Sequence, residues 1–386
     1  MPGFEVIGKE EFAELKHLFD ESKILFRHSF DDLRNNIYKV RDFENSFAER
    51  MKIPHALGVT SGTAALRVAL AALDIKDDDE IITQSFTFVA TVEAIIESSG
   101  VPIITEIDET LNMDPEDLEK KITEKTKAII VVHMLGVPAN LNKIKNISDN
   151  YGIPLIEDTA WGCGGYYEDI PLGTYGDIGT YSFDFAKTIT TGEGGMVVFK
   201  NKELFKKAAA WDDHGHENNP ELPRWEDSRS SSGFNFRMNE LQGAIGLAQL
   251  KKLDFVVSEQ RKNAALIKTS ISNLPIQMRT VPEKSFETAD AMVFFVDSNK
   301  IARKCRNALL EVGLGTKILP EAITWHYAGS WNHMPELSNQ YNKGLENSFP
   351  QSLDLLSRSV SLPIAINMVD DFHIKIRDAL SSVLCP

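Results

Sequence analysis

Residues 181–195 read YSFDFAKTITTGEGG, and this stretch decides the fold more than any other part of the chain. Lys187 stands in a mostly apolar run, and a glycine-rich turn at 192–195 follows it closely. Apolar surroundings favour the uncharged form of an amine, which is the form that can make a Schiff base. A solvated surface residue is the ordinary alternative for any single lysine. The stretch therefore predicts a reactive amine beside a sharp turn, if other parts of the chain supply its partners.

Short apolar runs alternate with amphipathic stretches from residue 56 to about residue 250. This alternation predicts parallel strands joined by helical crossovers, and near-continuous apolar runs such as 128–132 predict a sheet that is covered on both faces. The composition changes after about residue 263, so we expect a large domain over residues 1–255 and a small α+β domain over 256–386. The predicted strands are 80–82, 101–105, 127–133, 155–157, 196–199 and 291–296, the predicted helices are 64–72, 91–98, 115–122, 141–150, 241–253, 300–312 and 372–384, and 212–232 is a predicted surface loop.

Three further motifs could serve the lysine. LIED at 155–158 ends an apolar strand with Asp158, at the strand end where ligands bind in open α/β sheets. SGTAAL at 61–66 brings small residues to the start of a helix, whose free backbone amides bind phosphate well. SFTF at 85–88 offers aromatic rings. The ordinary alternatives are a helix cap for Ser61 or Thr63, a cap or ion pair for Asp158, and core packing for the phenylalanines.

The four motifs together match what pyridoxal phosphate requires: an amine, an acid for the pyridine nitrogen, a phosphate cup and a platform for the ring. An aspartate beside the pyridine nitrogen keeps it protonated and strengthens the ring as an electron sink. The combination is far more specific than any of its parts. A nicotinamide-binding fold is the weaker alternative, because no G-x-G-x-x-G follows the first strand.

Composition limits the partners and the compartment. The 386 residues carry a formal net charge of −15, which disfavours nucleic acid and anionic membranes as partners. The three cysteines do not describe a disulfide framework, and neither a signal peptide nor a membrane-spanning run is recognisable. We therefore expect a cytoplasmic enzyme that acts on small molecules, without a metal ion.

The chain resembles the DegT/DnrJ/EryC1/StrS family, the sugar aminotransferases of the fold-type I (aspartate-aminotransferase-like) pyridoxal-phosphate enzymes. SGTAAL, SFTFVATVEAI, LIEDTA, YSFDFAKTITTGEGG and GFNFRMNELQGAIGLAQL carry the resemblance. It implies a homodimer with shared active sites, an amino-acid donor, glutamate in the family, and a keto-sugar acceptor. It also implies roles for single residues: Lys187 binds the cofactor as a Schiff base, Asp158 pairs with the pyridine nitrogen, Gly62, Thr63 and Ser182 hold the phosphate, Phe88 lies against the ring, and Asn235 reaches the phosphate in the neighbouring subunit.

One position departs from the family pattern. After Glu157 and Asp158 the family has alanine and then glutamine or histidine near the cofactor's phenolic oxygen, whereas this chain has Thr159, Ala160 and Trp161. An indole can donate a hydrogen bond but cannot accept one. Trp161 is therefore expected to pack beside the cofactor or to narrow the sugar pocket.

Several motifs are similar to a subgroup that aminates an eight-carbon keto-deoxy sugar acid, giving 8-amino-3,8-dideoxy-manno-octulosonate (Kdo8N). They are MPGFE, FRHSFDDLRN, EIDETLNM, VVHMLG, DHGHEN and WHYAGSWNHMPEL. A nucleotide-linked 4-keto- or 3-keto-6-deoxysugar is the alternative acceptor, and a Kdo8N product would imply lipopolysaccharide biosynthesis. An acidic sugar needs cationic or polar contacts, and the candidates are Arg27, Arg34, His133, His214, His216, Arg237 and His326.

Two other functions remain to be weighed. Family members that dehydrate deoxysugars carry histidine in place of the Schiff-base lysine, and Lys187 argues against that reaction. A non-catalytic binding or regulatory protein with this fold would be expected to have a degraded site, yet Asp158, Ser182 and Lys187 are all present.

Overall fold

The computed structural model describes residues 2–219, 221–315 and 323–385. Its centre is a seven-stranded sheet with the order β1-β9-β8-β5-β4-β2-β3. Neighbouring strands from β8 to β3 are parallel, and β9 runs antiparallel to both of its neighbours. The seven strands are β1 (His55–Val59), β2 (Glu80–Gln84), β3 (Val101–Thr105), β4 (Thr126–Val132), β5 (Leu155–Asp158), β8 (Ile178–Ser182) and β9 (Gly195–Phe199).

Six short strands form two smaller sheets. β10, β12 and β13 make an antiparallel sheet, and β11 pairs with the hairpin of β6 and β7, so that a strand from the C-terminal part joins the N-terminal part. These strands are β6 (Tyr166–Tyr167), β7 (Ile170–Pro171), β10 (Gln277–Met278), β11 (Ser285–Phe286), β12 (Ala291–Phe295) and β13 (Ser359–Pro363).

Thirteen α-helices are present in the described ranges, and several of them cover both faces of the central sheet. Ala128 and Ile130 of β4 belong to a buried cluster with residues 64–72 and 94–95, and Ile129 and Val131, on the other face, belong to one with residues 118, 141 and 144. Burial on both faces explains the continuous apolar run of this strand. The helices are α1 (Lys9–Glu21), α2 (Lys39–Met51), α3 (Gly62–Ala72), α4 (Val89–Ile96), α5 (Pro115–Lys121), α6 (Leu141–Tyr151), α7 (Lys202–Asp212), α8 (Glu240–Ser270), α9 (Asn299–Glu311), α10 (Ile323–His326), α11 (Pro335–Ser338), α12 (Pro350–Ser357) and α13 (Phe372–Leu384).

The α/β class and the large mixed, mostly parallel sheet are confirmed. Helix α8 is longer than predicted and continues through residue 255, where we placed the domain boundary. Its second half packs on α13 and on the chain around residue 364, where the buried Gln260 donates to the Ile364 carbonyl at 2.9 Å. The division at residue 255 stays a prediction. No helix in the described ranges is long and apolar enough to cross a membrane.

Candidate active site

A cavity of about 590 Å³ opens where the carboxyl ends of β5 and β8 meet the N-termini of α3 and α4. Parallel strands direct their carboxyl ends to one edge of the sheet, and this edge gathers the four sequence motifs in one place. The residues that line the cavity include Ser61, Gly62, Thr63, Phe88, Thr91, Asp158, Trp161, Ser182, Asp184, Phe185, Lys187, Glu193, Trp325 and His326.

The start of α3 forms a cradle of backbone and small side chains. Ser61 caps the helix, because its Oγ accepts a hydrogen bond from the Ala64 amide at 3.0 Å. Gly62 approaches the end of β8 so closely that a Cβ there would lie 2.7 Å from the Ser182 Cβ. The first amides of a helix have no intrahelical partners and carry a partial positive charge. The cradle therefore suits a phosphate group, with the hydroxyls of Thr63 and Ser182 beside it.

Asp158 is 5% exposed at the end of β5. Its Oδ2 accepts a hydrogen bond from the Thr91 hydroxyl at 2.9 Å, and its Oδ1 accepts one from the Ala160 amide at 3.2 Å. Burial raises the pKa of this carboxyl, while the amide, the hydroxyl and the charge of Lys187 act in the opposite direction. A buried carboxylate held mainly by neutral donors is well suited to pair with a cationic group of a ligand.

Lys187 is 8% exposed and lies in the loop between β8 and β9. Its Nζ is 3.7 Å from Asp184 Oδ2 and 3.8 Å from the centre of the Trp161 ring, over the indole face. Its backbone carbonyl accepts a hydrogen bond from the Gly3 amide at 2.9 Å, so the N-terminal segment helps to fix the loop. The amine is thus held inside the cavity between a carboxylate and an aromatic face.

Aromatic side chains form the outer wall. Phe88 is 39% exposed and stacks on Trp325, with ring centres 6.2 Å apart and planes 6° from parallel. The His326 ring lies 5.7 Å from Phe88 and 6.4 Å from Trp161. Flat apolar faces of this kind can hold an aromatic ring or the apolar face of a sugar.

These features fit pyridoxal phosphate. The cradle at α3 matches its phosphate, Asp158 matches its pyridine nitrogen, the aromatic wall matches its ring and Lys187 matches its aldehyde carbon. The four groups line a single cavity, and the close approach at Gly62 leaves no room for a side chain at that position.

Comparison with known proteins decides the family. Residues 31–381 match the model of the DegT/DnrJ/EryC1/StrS aminotransferase family. The chain belongs to this family. Its members are pyridoxal-phosphate-dependent enzymes, so this protein is an aminotransferase that acts on a sugar and pyridoxal phosphate is its cofactor.

The individual similarities agree with the family. The aminotransferase is 35% identical over 325 residues to GDP-perosamine synthase of Escherichia coli O157:H7, covering 84% of each chain. It is 31% identical over 345 residues to GDP-perosamine synthase of Vibrio cholerae, covering 85% of this chain and 86% of the relative. Among solved structures, an aminotransferase from Psychrobacter cryohalolentis is 26% identical with a TM-score of 0.84, and the match covers 100% of this chain and 98% of that one.

Of the seven cationic or polar residues proposed to contact the acceptor, His326 is among the cavity-lining residues of the aminotransferase. His133 is fully buried, its Nδ1 accepts from the Ala139 amide at 3.1 Å and its Nε2 lies 2.9 Å from Glu157 Oε2. Because Nδ1 accepts a hydrogen bond, the ring hydrogen is on Nε2, which donates a hydrogen bond to Glu157. Both ring nitrogens are therefore hydrogen-bonded inside the protein, and these bonds give His133 a structural role in place of the predicted contact with the sugar.

Two of the proposed arginines are also structural within the subunit. Arg27 is nearly buried, binds Glu44 Oε1 at 2.6 Å and donates to the Gly58 carbonyl at 2.8 Å. Arg34 is fully buried and binds Glu240 Oε1 at 2.6 Å. Both guanidinium groups connect the N-terminal segment to the large domain rather than facing the cavity of their own subunit.

The remaining candidates belong to the long segment after α7. His214 is exposed, His216 is buried with its Nδ1 3.1 Å from Asp227 Oδ2, and Arg237 hydrogen-bonds Asp213. Asn235 is exposed and is outside the described lining of its own subunit's cavity. This placement agrees with a contact to another subunit, which stays a prediction.

Sequence reasoning missed several residues of the cavity. Thr91 binds the Asp158 carboxylate, and Trp325, Phe185 and Glu193 stand near the opening. Trp325 precedes His326 in the quoted WHYAGSW motif, so that motif was the available signal for it. Thr91 lies three residues after Phe88 within SFTFVATVEAI, but the motif does not say which side chain turns towards Asp158.

Proposed function

We propose that this aminotransferase transfers an amino group from glutamate to the 8-oxo group of a 3-deoxy-octulosonate, producing Kdo8N. The sugar aminotransferase activity comes from the family, whereas the donor and the acceptor are proposals. One observation carries the choice of acceptor. The WHYAGSW segment, which is similar to the subgroup that uses this acid, places Trp325 and His326 in the wall of the cavity.

Each residue of the cavity has its own role in the proposed reaction. Pyridoxal phosphate, when bound, supplies an electron sink for the carbon that loses its proton. Lys187 holds the cofactor between turnovers and, once displaced by the donor, moves a proton to and from the reacting carbon as general base and acid. Asp158 provides a negative charge for the pyridine nitrogen, and the α3 cradle with Ser182 fixes the phosphate. Trp161 and Phe88 close the space around the reacting atoms and exclude water.

A polar side chain in the wall of the cavity supports a sugar acid as the acceptor. His326 lines the cavity, and its ring lies among those of Phe88 and Trp161. A sugar carboxylate would gain from a protonated imidazole or from an imidazole N–H donor, while the aromatic faces hold the apolar side of the carbon chain.

A nucleotide-linked keto sugar is the second candidate. The relatives at 35% and 31% identity are named GDP-perosamine synthases, and perosamine carried on GDP is a nucleotide-linked amino sugar. The cavity is open to solvent on the side of Phe185, which is 60% exposed, so a nucleotide could extend outwards.

We also propose that the enzyme is a cytoplasmic homodimer with shared sites, in which Asn235 reaches the phosphate of its partner's cofactor. Support comes from the exposed apolar side chains near this segment, including Trp225 at 85% and Phe234 at 56% exposure, because such side chains mark contact surfaces. Light scattering coupled to size exclusion tests this assembly, and a monomer in the active fraction would contradict it.

The reverse reaction tests the acceptor directly. The purified protein with pyridoxal phosphate is mixed with 2-oxoglutarate and either Kdo8N or GDP-perosamine, and the glutamate formed is quantified. We expect glutamate from Kdo8N and little from GDP-perosamine. His326→Ala should raise the KM for Kdo8N about tenfold, which corresponds to one hydrogen bond to a charged group. Glutamate from GDP-perosamine alone would refute the sugar acid and establish the nucleotide-linked alternative.

A further inference from the structure

A buried line of hydroxyl groups leads to the acid of the active site. Thr87 Oγ1 lies 2.8 Å from Thr91 Oγ1, and Thr91 Oγ1 donates to Asp158 Oδ2 at 2.9 Å. Thr87 is fully buried and Thr91 is 1% exposed. The backbone amide of Thr87 donates to the His326 carbonyl at 2.9 Å, so the line begins at the aromatic wall and ends at the carboxylate.

The direction of each hydrogen bond follows from the charge of Asp158. An ionised carboxylate can only accept, so the Thr91 hydrogen points to Oδ2. The single hydrogen of the Thr91 hydroxyl is then used, and Thr87 must donate to Thr91. The Ala160 amide holds the other oxygen, Oδ1, at 3.2 Å. Both oxygens of Asp158 are thus fixed by neutral donors on α4 and on the chain after β5.

We propose that Thr91, supported by Thr87, is the positioning residue that keeps the Asp158 carboxylate ionised and aimed at the pyridine nitrogen of the cofactor. The proposal rests on the role given to Asp158 under the proposed function. Thr91 acts through Asp158 and takes no part in proton transfer to substrate.

The physical need for such a residue comes from burial. Removal from water raises the pKa of Asp158, and the amide of Ala160 and the hydroxyl of Thr91 lower it. A hydrogen bond to an ionised group contributes more free energy than one between neutral groups. In a chain of hydroxyls, each hydrogen bond also polarises and strengthens the next. Without the Thr91 hydroxyl, the carboxyl would more readily take up a proton or rotate, and its attraction for the protonated pyridine nitrogen would fall.

Cofactor affinity gives a readout that is independent of turnover. The full-length protein is freed of cofactor, and its dissociation constants are measured for pyridoxal phosphate and for the 1-deaza analogue, which has carbon in place of the pyridine nitrogen. The wild type should bind pyridoxal phosphate at least about tenfold more tightly than the analogue. Thr91→Val keeps the shape of the side chain but lacks the hydroxyl. It should raise the dissociation constant of pyridoxal phosphate about tenfold and that of the analogue less than twofold.

Two further variants locate the effect. Thr91→Ser keeps the hydroxyl and should retain the preference for the nitrogen-containing cofactor. Thr87→Val removes the hydroxyl that supports Thr91 and should raise the dissociation constant of pyridoxal phosphate about threefold. In an Asp158→Asn background, Thr91→Val should have no further effect on pyridoxal phosphate, because its target is gone. If Thr91→Val does not fold, the Thr87→Val and Thr91→Ser measurements decide the question.

Equal weakening of both ligands by Thr91→Val and by Thr87→Val would overturn the proposal, since it would indicate a general packing role. A wild type that does not distinguish the two ligands would overturn it at an earlier step, because Asp158 would not be the partner of the pyridine nitrogen. That second result would also remove the proposed role of Asp158, whereas the first would leave that role and the aminotransferase function intact.

Discussion

Two buried aspartates of this aminotransferase lie in contrasting surroundings. Asp158 is hydrogen-bonded by the hydroxyl of Thr91 and an amide, and it faces the cavity. Asp213 is hydrogen-bonded by the guanidinium groups of Arg224 and Arg237, and the imidazole of His28 lies 3.5 Å away. Asp158 belongs to the ligand site, and Asp213 belongs to a charged cluster between the N-terminal segment and the chain after α7.

The difference appears in their acidity. Burial raises the pKa of Asp158, and its neutral donors oppose that change. Burial also acts to raise the pKa of Asp213, but the hydrogen bond from Arg224 and the charges of Arg224 and Arg237 outweigh it and bring the pKa to about 2. A carboxylate neutralised by arginines of its own chain has a structural task. A carboxylate held by neutral groups beside a cavity is suited to a positive group on a ligand.

The largest effect should come from a matched pair of lysines. Lys187→Ala removes the amine in the cavity and should lower the rate of amino transfer by at least about 10³-fold, within the range for lost general acid–base catalysis. Lys262→Met removes an exposed cation that pairs with Glu259 at 3.1 Å and is not among the residues lining the cavity, and it should leave the rate within about threefold. Steady-state rates with glutamate as donor measure both. Equal losses would mean that the two lysines do not differ in function.

The two aspartates can be separated by activity. Asp158→Asn should lower kcat about 10²-fold, because the partner of a buried charged group on the cofactor is lost. Asp213→Asn should change kcat much less. Initial rates at saturating pyridoxal phosphate provide the comparison. A larger activity loss in Asp213→Asn than in Asp158→Asn would reverse the assignment of the two sites.

Stability should change in the opposite order. Asp213→Asn leaves Arg224 and Arg237 without their shared anion and should reduce the free energy of unfolding by about 2 kcal/mol, a value discounted for the partial exposure of the arginines. Asp158→Asn should leave the cofactor-free protein as stable or slightly more so, since it removes a buried charge. Urea unfolding of the cofactor-free variants measures both, and a strongly destabilised Asp158→Asn would contradict the account.

The charged cluster should also respond to pH through Asp212. Burial raises the pKa of Asp212 to about 7, against the charge of Arg27. The pKa of Asp212 in the folded protein lies above its ordinary value, so between these two pH values the folded protein binds more protons than the unfolded chain. The contribution of Asp212 to the free energy of unfolding therefore falls as pH rises from about 4 to about 7. His28, whose pKa burial and Arg27 lower to about 3, acts in the opposite direction over an overlapping range.

The measurement is therefore the difference in unfolding free energy between the wild type and Asp212→Asn. Relative to that of Asp212→Asn, the free energy of unfolding of the wild type should fall by about 3 kcal/mol between pH 4 and pH 7.5. Glu44, Asp213 and Arg237 also face Asp212, and they are the same in both proteins. A difference that stays constant over this interval would show that Asp212 does not titrate there.

The smallest effect concerns the departure at Trp161. Trp161→Phe keeps an aromatic face beside Lys187 but weakens its attraction for a cation, so we expect a three- to tenfold rise in the acceptor KM or fall in kcat. Tyr151→Phe, at a side chain that is 51% exposed at the end of α6, is the control. A Trp161→Phe enzyme indistinguishable from this control would remove Trp161 from the site.

Much of this arrangement could be predicted from the sequence, because its signals were local. The strand ending at Asp158, the helix start at Gly62 and the run around Lys187 each carry their own pattern, and parallel topology brings such ends together. Helix α8 was predicted too short because its second half buries polar residues. Gln260 and Asn263 hydrogen-bond backbone carbonyls about a hundred residues away, which no local period could reveal.

The missed and reassigned residues have the same cause. His133 was predicted at the end of a strand and as a contact of the acceptor, but β4 lies beside β5, with Val132 opposite Asp158, and this brings the imidazole next to Glu157. The sequence around Thr91 predicts an ordinary helix residue, and only the position of α4 over the end of β5 brings its hydroxyl to Asp158. In both cases, the partner is set by strand order and helix placement rather than by neighbours in sequence.

Chemical trapping at Lys187 is the most direct test of the central claim. The purified protein with pyridoxal phosphate is reduced with borohydride, which makes a lysine Schiff base permanent, and the labelled peptide is identified by mass spectrometry. The account predicts a phosphopyridoxyl group on Lys187, and a loss of this label when glutamate is added before reduction. A label on a different lysine, or no label at all, would contradict the assignment of Lys187 and of the cavity around it.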